Sequence, residues 1–341
     1  MTDSGKSLIT ATVNFDKGGI QTGFLRIPHS VDRSAYGYLP IPVFVAVNGE
    51  GPTVLMLGAN HGDEYEGPIG LMHLLHGLAL ERLQGRLIVL PTLNLPAVLA
   101  GTRTSPIDKV NLNRSFPGKR HGTPTEMLAH YIETELISQA DFVFDFHSGG
   151  KTLSYLPILF VLRPTDAASQ SLTDRIVRAF GCERVRYIDQ LAFNEDRTSG
   201  AAARRRGAVF LSGEFGGCGS VSKEGVTLVE QGTLRVLHEL GVLGADDEIS
   251  RPALVNIQSF NYSRAEHYVY APRGGLFEPS FSLGDSIVAG QRAGFIHDPA
   301  EPWNAPREVL FQADGLAICY RPLAHVEAGD CLAHLAIPEA S

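Results

Sequence analysis

The chain has 341 residues, of which 44% are hydrophobic and 19% are charged, which indicates a folded globular protein of two domains. Its 29 basic and 37 acidic side chains give a formal net charge of −8, and this argues against binding to nucleic acid or to an anionic membrane surface. We therefore expect single-site chemistry on a small molecule.

Targeting signals and disulfides are not readable in the sequence. No apolar run approaches the roughly 20 residues needed to cross a bilayer, and the opening MTDSGKSLIT lacks the pattern of a secretory signal. The four cysteines are scattered and fit neither a disulfide framework nor a zinc knuckle. We expect no membrane association, a cytoplasmic location and buried thiols.

Four apolar segments predict buried strands, and helical patterns follow the first and the last of them: PTVLMLGAN, GRLIVLPTLN, ADFVFDFHS and GAVFLSGEF. This α/β alternation favours a largely parallel sheet. In such sheets ligands bind beyond the carboxyl ends of the strands, because the connecting loops converge there. The polar residues that end these strands are therefore the candidates for function.

The first motif, GANHGDEYEGPIG, places His61 and Glu64 three residues apart just beyond a predicted strand. Zinc favours imidazole nitrogen and carboxylate oxygen, with three protein ligands in a catalytic site, and His147 at the end of ADFVFDFHS is the best third ligand. The alternatives are a helix start at which Glu64 favours the helix dipole and a loop-capping role for His147. Asp145 would either orient a ligating imidazole or be structural.

The next motif, GTRTSPIDKVNLNRSFPG, contains Arg103, Asn113 and Arg114 in a region punctuated by proline and glycine. Arginine binds carboxylates in a bidentate fork, and asparagine beside it adds a donor. This set suits the free carboxyl group of an amino-acid-like substrate. The alternative is a loop in which Arg103 is held by an acid of the protein itself, such as Asp108.

The last motif, FLSGEFGGCGS, places Glu214 after an apolar strand and before a run of glycines. A carboxylate there could act as a general base toward water whose pKa zinc lowers to about 7; the alternative is a structural glutamate bound to loop amides. We expect His73, on the helix after the first motif, to pack or to face solvent. We expect Arg204–Arg206 to form a solvated turn before a strand.

After residue 250 the pattern changes to short runs separated by Gly, Pro and Asp turns, which predicts a small all-β domain. The predicted domains are residues 1–250 and 251–341. The stretches GLFEPSFSLGDSIVAGQ and GLAICYRPLAHVEAGD look like two copies of one unit, which resembles the barrel-sandwich of biotinyl and lipoyl carrier domains. No lysine follows Lys223, which excludes the carrier role. Covering the site or assembling a homo-oligomer is the expected role.

Taken together, these motifs resemble the succinylglutamate desuccinylase and aspartoacylase family, a branch of the zinc carboxypeptidase fold. The resemblance implies an α/β fold with a zinc-carboxypeptidase-like mixed sheet flanked by helices and a smaller C-terminal all-β domain. NHGDEYEG and DFHSGG correspond to the family's zinc ligands, which implies one Zn²⁺ per subunit on His61, Glu64 and His147.

The same resemblance assigns the other motif residues. NLNRSFPG corresponds to the family's substrate-carboxylate pair, here Asn113 and Arg114. GEFGG corresponds to its catalytic glutamate, here Glu214, and Arg103 looks like its carbonyl-polarising arginine. The implied substrate is a small N-acyl amino acid.

A tighter resemblance, through GFLRIPHS, NGEGPT and AGDCLA, is to deacetylases that act on N-α-acetyl-L-2,4-diaminobutyrate in ectoine degradation. It implies a zinc-dependent amidohydrolase that releases acetate and L-2,4-diaminobutyrate. Two alternatives use the same site: a deacylase of another N-acyl amino acid, and a carboxypeptidase. A third is a non-catalytic zinc-binding protein.

Overall fold

The computed structural model describes residues 7–164, 166–188, 195–244, 255–262 and 264–339. Within these ranges, 15 strands form one extended sheet and four form a second. The strands in chain order are β1 Thr10–Ala11, β2 Gly19–Pro28, β3 Tyr38–Asn48, β4 Thr53–Gly58, β5 Gly85–Leu90, β6 Phe142–His147, β7 Ser154–Tyr155, β8 Ile158–Leu162, β9 Arg184–Ile188, β10 Val209–Glu214, β11 Gln258–Asn261, β12 Tyr268–Tyr270, β13 Gly275–Pro279, β14 Ser286–Ile287, β15 Arg292–His297, β16 Arg307–Leu310, β17 Gly315–Tyr320, β18 His325–Val326 and β19 Cys331–Pro338.

The α-helices lie between the strands of the first two thirds of the chain. They are α1 Glu66–Gly77, α2 Leu95–Ala100, α3 Pro124–Tyr131, α4 Ala167–Phe180, α5 Ser199–Arg206 and α6 Lys223–Glu239. A π-helical turn over Ile132–Leu136 extends α3. None of the helices in the described ranges is long and apolar enough to span a bilayer.

The four predicted apolar strands are β4, β5, β6 and β10, and they lie side by side in the order β5, β4, β6, β10, all parallel. Their flanking strands run the other way: β3 is antiparallel to β5, and β8 is antiparallel to β10. The prediction of an α/β fold with a mixed sheet is confirmed. Every residue of β4 and β6 is buried, which explains why their sequences are continuously apolar rather than alternating.

Helices cover both faces of this sheet. On one face α1, α4 and α6 pack together through residues such as Leu74, Phe180 and Val229, and on the other face α3 and α5 pack through residues such as Leu128 and Ala202. Complete burial of a large apolar side chain contributes about 1.5–3 kcal/mol. These two layers hold the sheet rigid, so its carboxyl edge is a fixed platform for side chains.

Short polar side chains set where the helices begin. Thr123 forms a capping box with Glu126 at the start of α3, and Asp166, Thr198 and Ser222 each accept a backbone N–H at the starts of α4, α5 and α6. Such a cap stabilises a helix by about 1 kcal/mol. The caps of α5 and α6 fix the chain on either side of β10.

The C-terminal strands contain the repeated unit that the sequence predicts. Each copy begins with a strand at Gly275 or Gly315 and ends with a two-residue strand, and each long strand pairs with the short strand of the other copy: β13 with β18, and β17 with β14. The predicted domain boundary between residues 250 and 251 lies outside the described residues, so the division into domains stays a prediction.

An aromatic cluster, which we call the junction cluster, lies where C-terminal strands pack against the segment that follows β6. It consists of Tyr155, Tyr262, Tyr268 and His334. The Tyr155 hydroxyl lies 2.9 Å from His334 Nδ1, and the ring centroids of Tyr268 and His334 are 4.5 Å apart in an edge-to-face arrangement. On β7, Tyr155 also belongs to a short strand that pairs with β17. The C-terminal strands are therefore packed against the segment that follows β6.

Candidate active site

The predicted metal ligands and the predicted base meet at the carboxyl edge of the parallel strands. His61 and Glu64 follow the end of β4, and His147 is the last residue of β6. Glu214 is the last residue of β10 and is the register partner of His147. Four side chains that are up to 153 residues apart in the chain are brought together because the ends of adjacent parallel strands share one edge.

The loop between His61 and Glu64 is held close to α2. A Cβ atom on Gly62 would lie 2.0 Å from the carbonyl carbon of Ala97, so only glycine permits this approach. Gly62 also donates its N–H to the Thr102 carbonyl at 3.0 Å. The close contact turns His61 and Glu64 toward the strand ends rather than toward solvent.

His61, Glu64 and His147 form a group that could hold a metal ion, since one ligand atom from each lies within 4.8 Å of the others. Both imidazoles direct Nδ1 to the same carboxylate: His61 Nδ1 is 2.7 Å from Glu64 Oε1, and His147 Nδ1 is 2.8 Å from Glu64 Oε2. All three side chains are buried. The arrangement is not the solvated helix start of the alternative interpretation.

Burial and neighbouring ionisable groups shift the pKa values of the three side chains. Burial lowers the pKa of His61 more than Glu64 raises it, so its imidazole is neutral. Burial raises the pKa of Glu64, but His61 and His147 outweigh it and hold the pKa well below its usual range. Burial likewise lowers the pKa of His147, but Asp145 and Glu64 reverse this and raise it well above its usual range.

The donor set fits a metal ion. Two imidazole nitrogens and one carboxylate oxygen are ligands that zinc prefers, and the remaining ring nitrogens face side-chain oxygens. His61 Nε2 is 3.2 Å from Asn111 Oδ1, and His147 Nε2 is 3.2 Å from Asp145 Oδ2. Such contacts fix the orientation of ligating imidazoles, so a cation would find both Nδ1 atoms already directed toward it.

The predicted carboxylate-binding residues lie beside this group. Asn113 Nδ2 is 3.4 Å from His147 Nε2, and Arg114 donates to the Asn113 carbonyl at 2.7 Å. Arg103 is half exposed and donates to Glu64 Oε1 at 3.2 Å. Asp108, the alternative partner of Arg103, instead accepts the N–H and the hydroxyl of Thr125, each at 2.9 Å.

Glu214 carries an unsatisfied oxygen. Its Oε2 atom is buried and has no hydrogen-bond partner among the described residues. Burial, followed by the charge of Glu64, raises the pKa of its carboxyl group to about 8. The alternative, a structural glutamate bound to loop amides, would supply a donor to this oxygen, and none is found among the described residues. The oxygen is therefore available to a molecule bound in the cavity.

All seven predicted site residues line one cavity of about 190 Å³. The cavity has two further sets of lining residues that sequence reasoning missed. One is the start of α5 with its cap, namely Thr198, Ser199 and Gly200. The other is apolar except for Ser212, and consists of Phe160, Leu162, Ile188, Phe210 and Ser212. The TSGAAA stretch is a readable helix start, whereas the apolar set comes from β8, β9 and β10 and has no motif.

Comparisons with known proteins identify the family of the chain. Residues 50–240 match the succinylglutamate desuccinylase/aspartoacylase catalytic domain. The chain is 37% identical over 330 residues to the N-α-acetyl-L-2,4-diaminobutyric acid deacetylase of Halomonas elongata, which covers 97% of this chain and 95% of that protein.

Solved structures agree with the whole fold. The product-bound ectoine utilization protein EutE (DoeB) of Ruegeria pomeroyi superposes with a TM-score of 0.91 at 35% identity, covering 98% of this chain and 100% of that one. A succinylglutamate desuccinylase/aspartoacylase of Rhodobacter sphaeroides gives 0.90 at 36% identity over the same shares. The chain therefore belongs to the succinylglutamate desuccinylase/aspartoacylase family and is an amide-cleaving hydrolase of that family.

Proposed function

We propose that the protein is a zinc-dependent deacetylase that hydrolyses N-α-acetyl-L-2,4-diaminobutyrate to acetate and L-2,4-diaminobutyrate. The observation that carries the proposal is the convergence of seven side chains, from four separate stretches of sequence, on one cavity. The name and the extent of similarity of the Halomonas elongata relative support the choice of substrate.

The proposed roles follow from position and charge. His61, Glu64 and His147 would hold the zinc ion, which would supply Lewis acidity toward a carbonyl oxygen and toward water. Glu214 accepts a proton from the attacking water and returns it to the nitrogen of the leaving amine. A carboxyl group can make both transfers, because it accepts one proton and then releases it. Arg103, half exposed at the cavity, donates to the carbonyl oxygen as it gains negative charge.

Recognition of the substrate is assigned to the residues beside the metal group. Asn113 and Arg114 bind the substrate α-carboxylate through several N–H donors, which fixes the amide bond over the strand ends. Holding the reacting atoms in this way removes much of the entropic barrier of the reaction. The apolar lining residues, among them Phe160 and Phe210, contact the uncharged parts of the substrate.

The test combines metal analysis with product analysis on the full-length protein. Purified protein is expected to contain about one zinc per chain, to release acetate from N-α-acetyl-L-2,4-diaminobutyrate, and to lose activity when a chelator removes the metal. N-acetyl-L-aspartate, N²-succinyl-L-glutamate and a dipeptide serve as competing substrates, compared by kcat/KM. Faster turnover of any competitor would replace the proposed substrate, and no turnover of any of them by zinc-loaded protein would reject the enzymatic role.

Three further expectations stay predictions: the cytoplasmic location, assembly into a homo-oligomer, and a covering role for residues 251–341. The contact between β7 and β17 supports the last of these, because it brings the C-terminal strands against the segment that follows His147. Sedimentation velocity of the purified protein tests the oligomeric state directly.

A further inference from the structure

Asp145 is a buried carboxylate that stands between the metal group and the carboxylate-binding group. It lies on β6 two residues before His147, so both side chains point to the same face of the sheet. It is 0% exposed, and one of its oxygens, Oδ2, takes three contacts: His147 Nε2 at 3.2 Å, Asn60 Nδ2 at 2.9 Å and the Ser199 hydroxyl.

Ser199, the first residue of α5, contacts both groups at once. Its hydroxyl donates to Asp145 Oδ2, and its backbone N–H donates to Asn113 Oδ1 at 3.0 Å. Because Asn113 Oδ1 accepts this hydrogen bond, the side-chain nitrogen of Asn113, Nδ2, faces His147 and the cavity. One buried residue therefore determines which end of Asn113 a substrate meets.

Close packing of α5 against the sheet keeps Ser199 within hydrogen-bond distance of Asp145 and Asn113. A Cβ atom on Gly200 would lie 2.9 Å from the Phe210 ring of β10, so glycine lets the start of the helix approach the sheet more closely than any other residue would. Thr198 caps the helix by accepting the Ala201 N–H at 3.2 Å. The first turn of α5 is thus held in place on both sides of Ser199.

We infer that Ser199 is a positioning residue that sets two parts of the site together: the imidazole of His147 through Asp145, and the amide of Asn113 directly. The inference rests on the roles proposed above for His147 and Asn113. Removing the hydroxyl leaves the Ser199 N–H in place but frees Asp145 and the first turn of α5 to move independently. Both metal affinity and substrate affinity then fall, although Ser199 binds neither ligand itself.

The experiment measures two quantities on full-length protein: the Zn²⁺ dissociation constant, by competition with a chromophoric chelator, and the KM for N-α-acetyl-L-2,4-diaminobutyrate. For Ser199→Ala we expect zinc binding to weaken about tenfold, as for other residues that orient metal ligands, and KM to rise more than kcat falls. Thr173→Val is the matched control, since it deletes a buried hydroxyl on α4 that has no hydrogen-bond partner in the described part of the chain. Both quantities should stay unchanged in this variant.

The outcomes separate this inference from the proposed function. Unchanged zinc affinity or unchanged KM in Ser199→Ala overturns the positioning role, as does an equal effect in Thr173→Val. The proposed function is rejected if the wild-type protein binds no zinc, or if it binds zinc and hydrolyses none of the substrates. In the second case, the zinc dissociation constant of Ser199→Ala still tests whether Ser199 positions His147 through Asp145. If the melting temperature of Ser199→Ala is well below that of the wild type, the same two measurements are made on Ser199→Cys. Its side chain is similar in size and is a weaker hydrogen-bond donor.

Discussion

Two buried histidines in this protein have opposite surroundings. His147, at the metal group, is 7% exposed, and His334, in the junction cluster, is 9% exposed; both lie on strands. His147 has carboxylates on both ring nitrogens, Glu64 at 2.8 Å and Asp145 at 3.2 Å. They outweigh its burial and raise its pKa well above the usual range.

His334 has no carboxylate partner among the described residues. Its Nδ1 atom faces the Tyr155 hydroxyl, and its ring lies among aromatic rings, with the Tyr262 centroid at 6.1 Å. Burial, followed by the positive charge of Arg186, lowers its pKa to about 3. Equal burial is therefore accompanied by a raised pKa at one place and a lowered pKa at the other, and the neighbouring carboxylates make the difference.

This contrast gives a physical criterion for a functional histidine. A neutral buried imidazole with a hydroxyl partner is a satisfied part of a core, whereas an imidazole held by buried carboxylates occupies a site built for positive charge. Burial alone does not distinguish them. The following predictions test whether the two histidines differ in function as their surroundings indicate.

The largest effect is expected from removing the metal-side imidazole. His147→Ala deletes one of three protein ligands, so we expect zinc to be absent from the purified protein and acetate release to fall below detection. His73→Ala is the matched control, because His73 lies half exposed on α1 beside Glu230. If His147→Ala keeps one zinc per chain, this would falsify the assignment of His147 as a metal ligand. The proposed functional difference between His147 and His334 would then fall as well.

The second prediction distinguishes two roles at this sheet edge: binding of the metal and transfer of a proton by Glu214. Glu214→Gln keeps the size of the side chain but cannot accept a proton, so kcat should fall about 10³-fold while zinc content stays at the wild-type level. Single-turnover kinetics and metal analysis measure the two quantities. Glu50→Gln, in an exposed turn, is the control, and substantial kcat in Glu214→Gln would mean that another group is the base.

The third prediction concerns the carboxylate side of the cavity. Arg114→Ala removes charge-assisted hydrogen bonds worth about 1.5–3 kcal/mol, so kcat/KM should fall roughly 10- to 150-fold, mainly through KM. The methyl ester of the substrate lacks the carboxylate charge and should be cleaved with similar kcat/KM by variant and wild type. An equal loss on acid and ester would show that Arg114 acts elsewhere.

The smallest effect is expected at the junction cluster. A histidine in an unfolded chain titrates near pH 6.5, while His334 has a folded pKa of about 3. Between these values the unfolded state binds more protons, so the free energy of unfolding falls as pH falls from 6.5 toward 3, by about 1.4 kcal/mol per pH unit.

The measurement compares urea unfolding of wild type and His334→Gln at pH 7 and pH 5. Glutamine can accept a hydrogen bond from the Tyr155 hydroxyl and does not titrate. From pH 7 to pH 5, the free energy of unfolding should therefore fall by about 2 kcal/mol less in the variant than in the wild type. Acetate release at pH 7 gives a separate readout of the site. Identical pH dependence of the two proteins would show that His334 is charged in the folded state, contrary to the comparison.

The sequence predicted the sheet and its functional edge because both depend on local patterns. Continuous apolar runs mark strands buried on both faces, and the polar residue that ends each run is at the carboxyl edge whatever the order of the strands. His61, His147 and Glu214 were predictable in this way. The strand order and the antiparallel direction of β8 depend on contacts between distant parts of the chain. The position of Phe160, an apolar residue of β8 that lines the cavity, was therefore not predictable.

One local prediction was wrong in part. Arg204–Arg206 are exposed and precede a strand, as predicted, but they form the last turn of α5 rather than a separate turn. Arg205 makes a two-pronged ion pair with buried Glu133 at 2.7 Å and 3.1 Å. The signal was present in the sequence, as Thr198 caps the helix and Gly207 ends it. Basic residues in a last turn also favour the helix dipole.

The swapped pairing of the C-terminal repeats has a consequence for how the chain reaches its native state. Neither copy completes a sheet by itself, and β19, the last strand, pairs with β11, β12 and β17. The contact of Tyr155 with His334 joins residues 179 positions apart, and such long loops close slowly. During synthesis, the segment after His147 must wait until the strand that contains His334 has left the ribosome before the junction cluster can form.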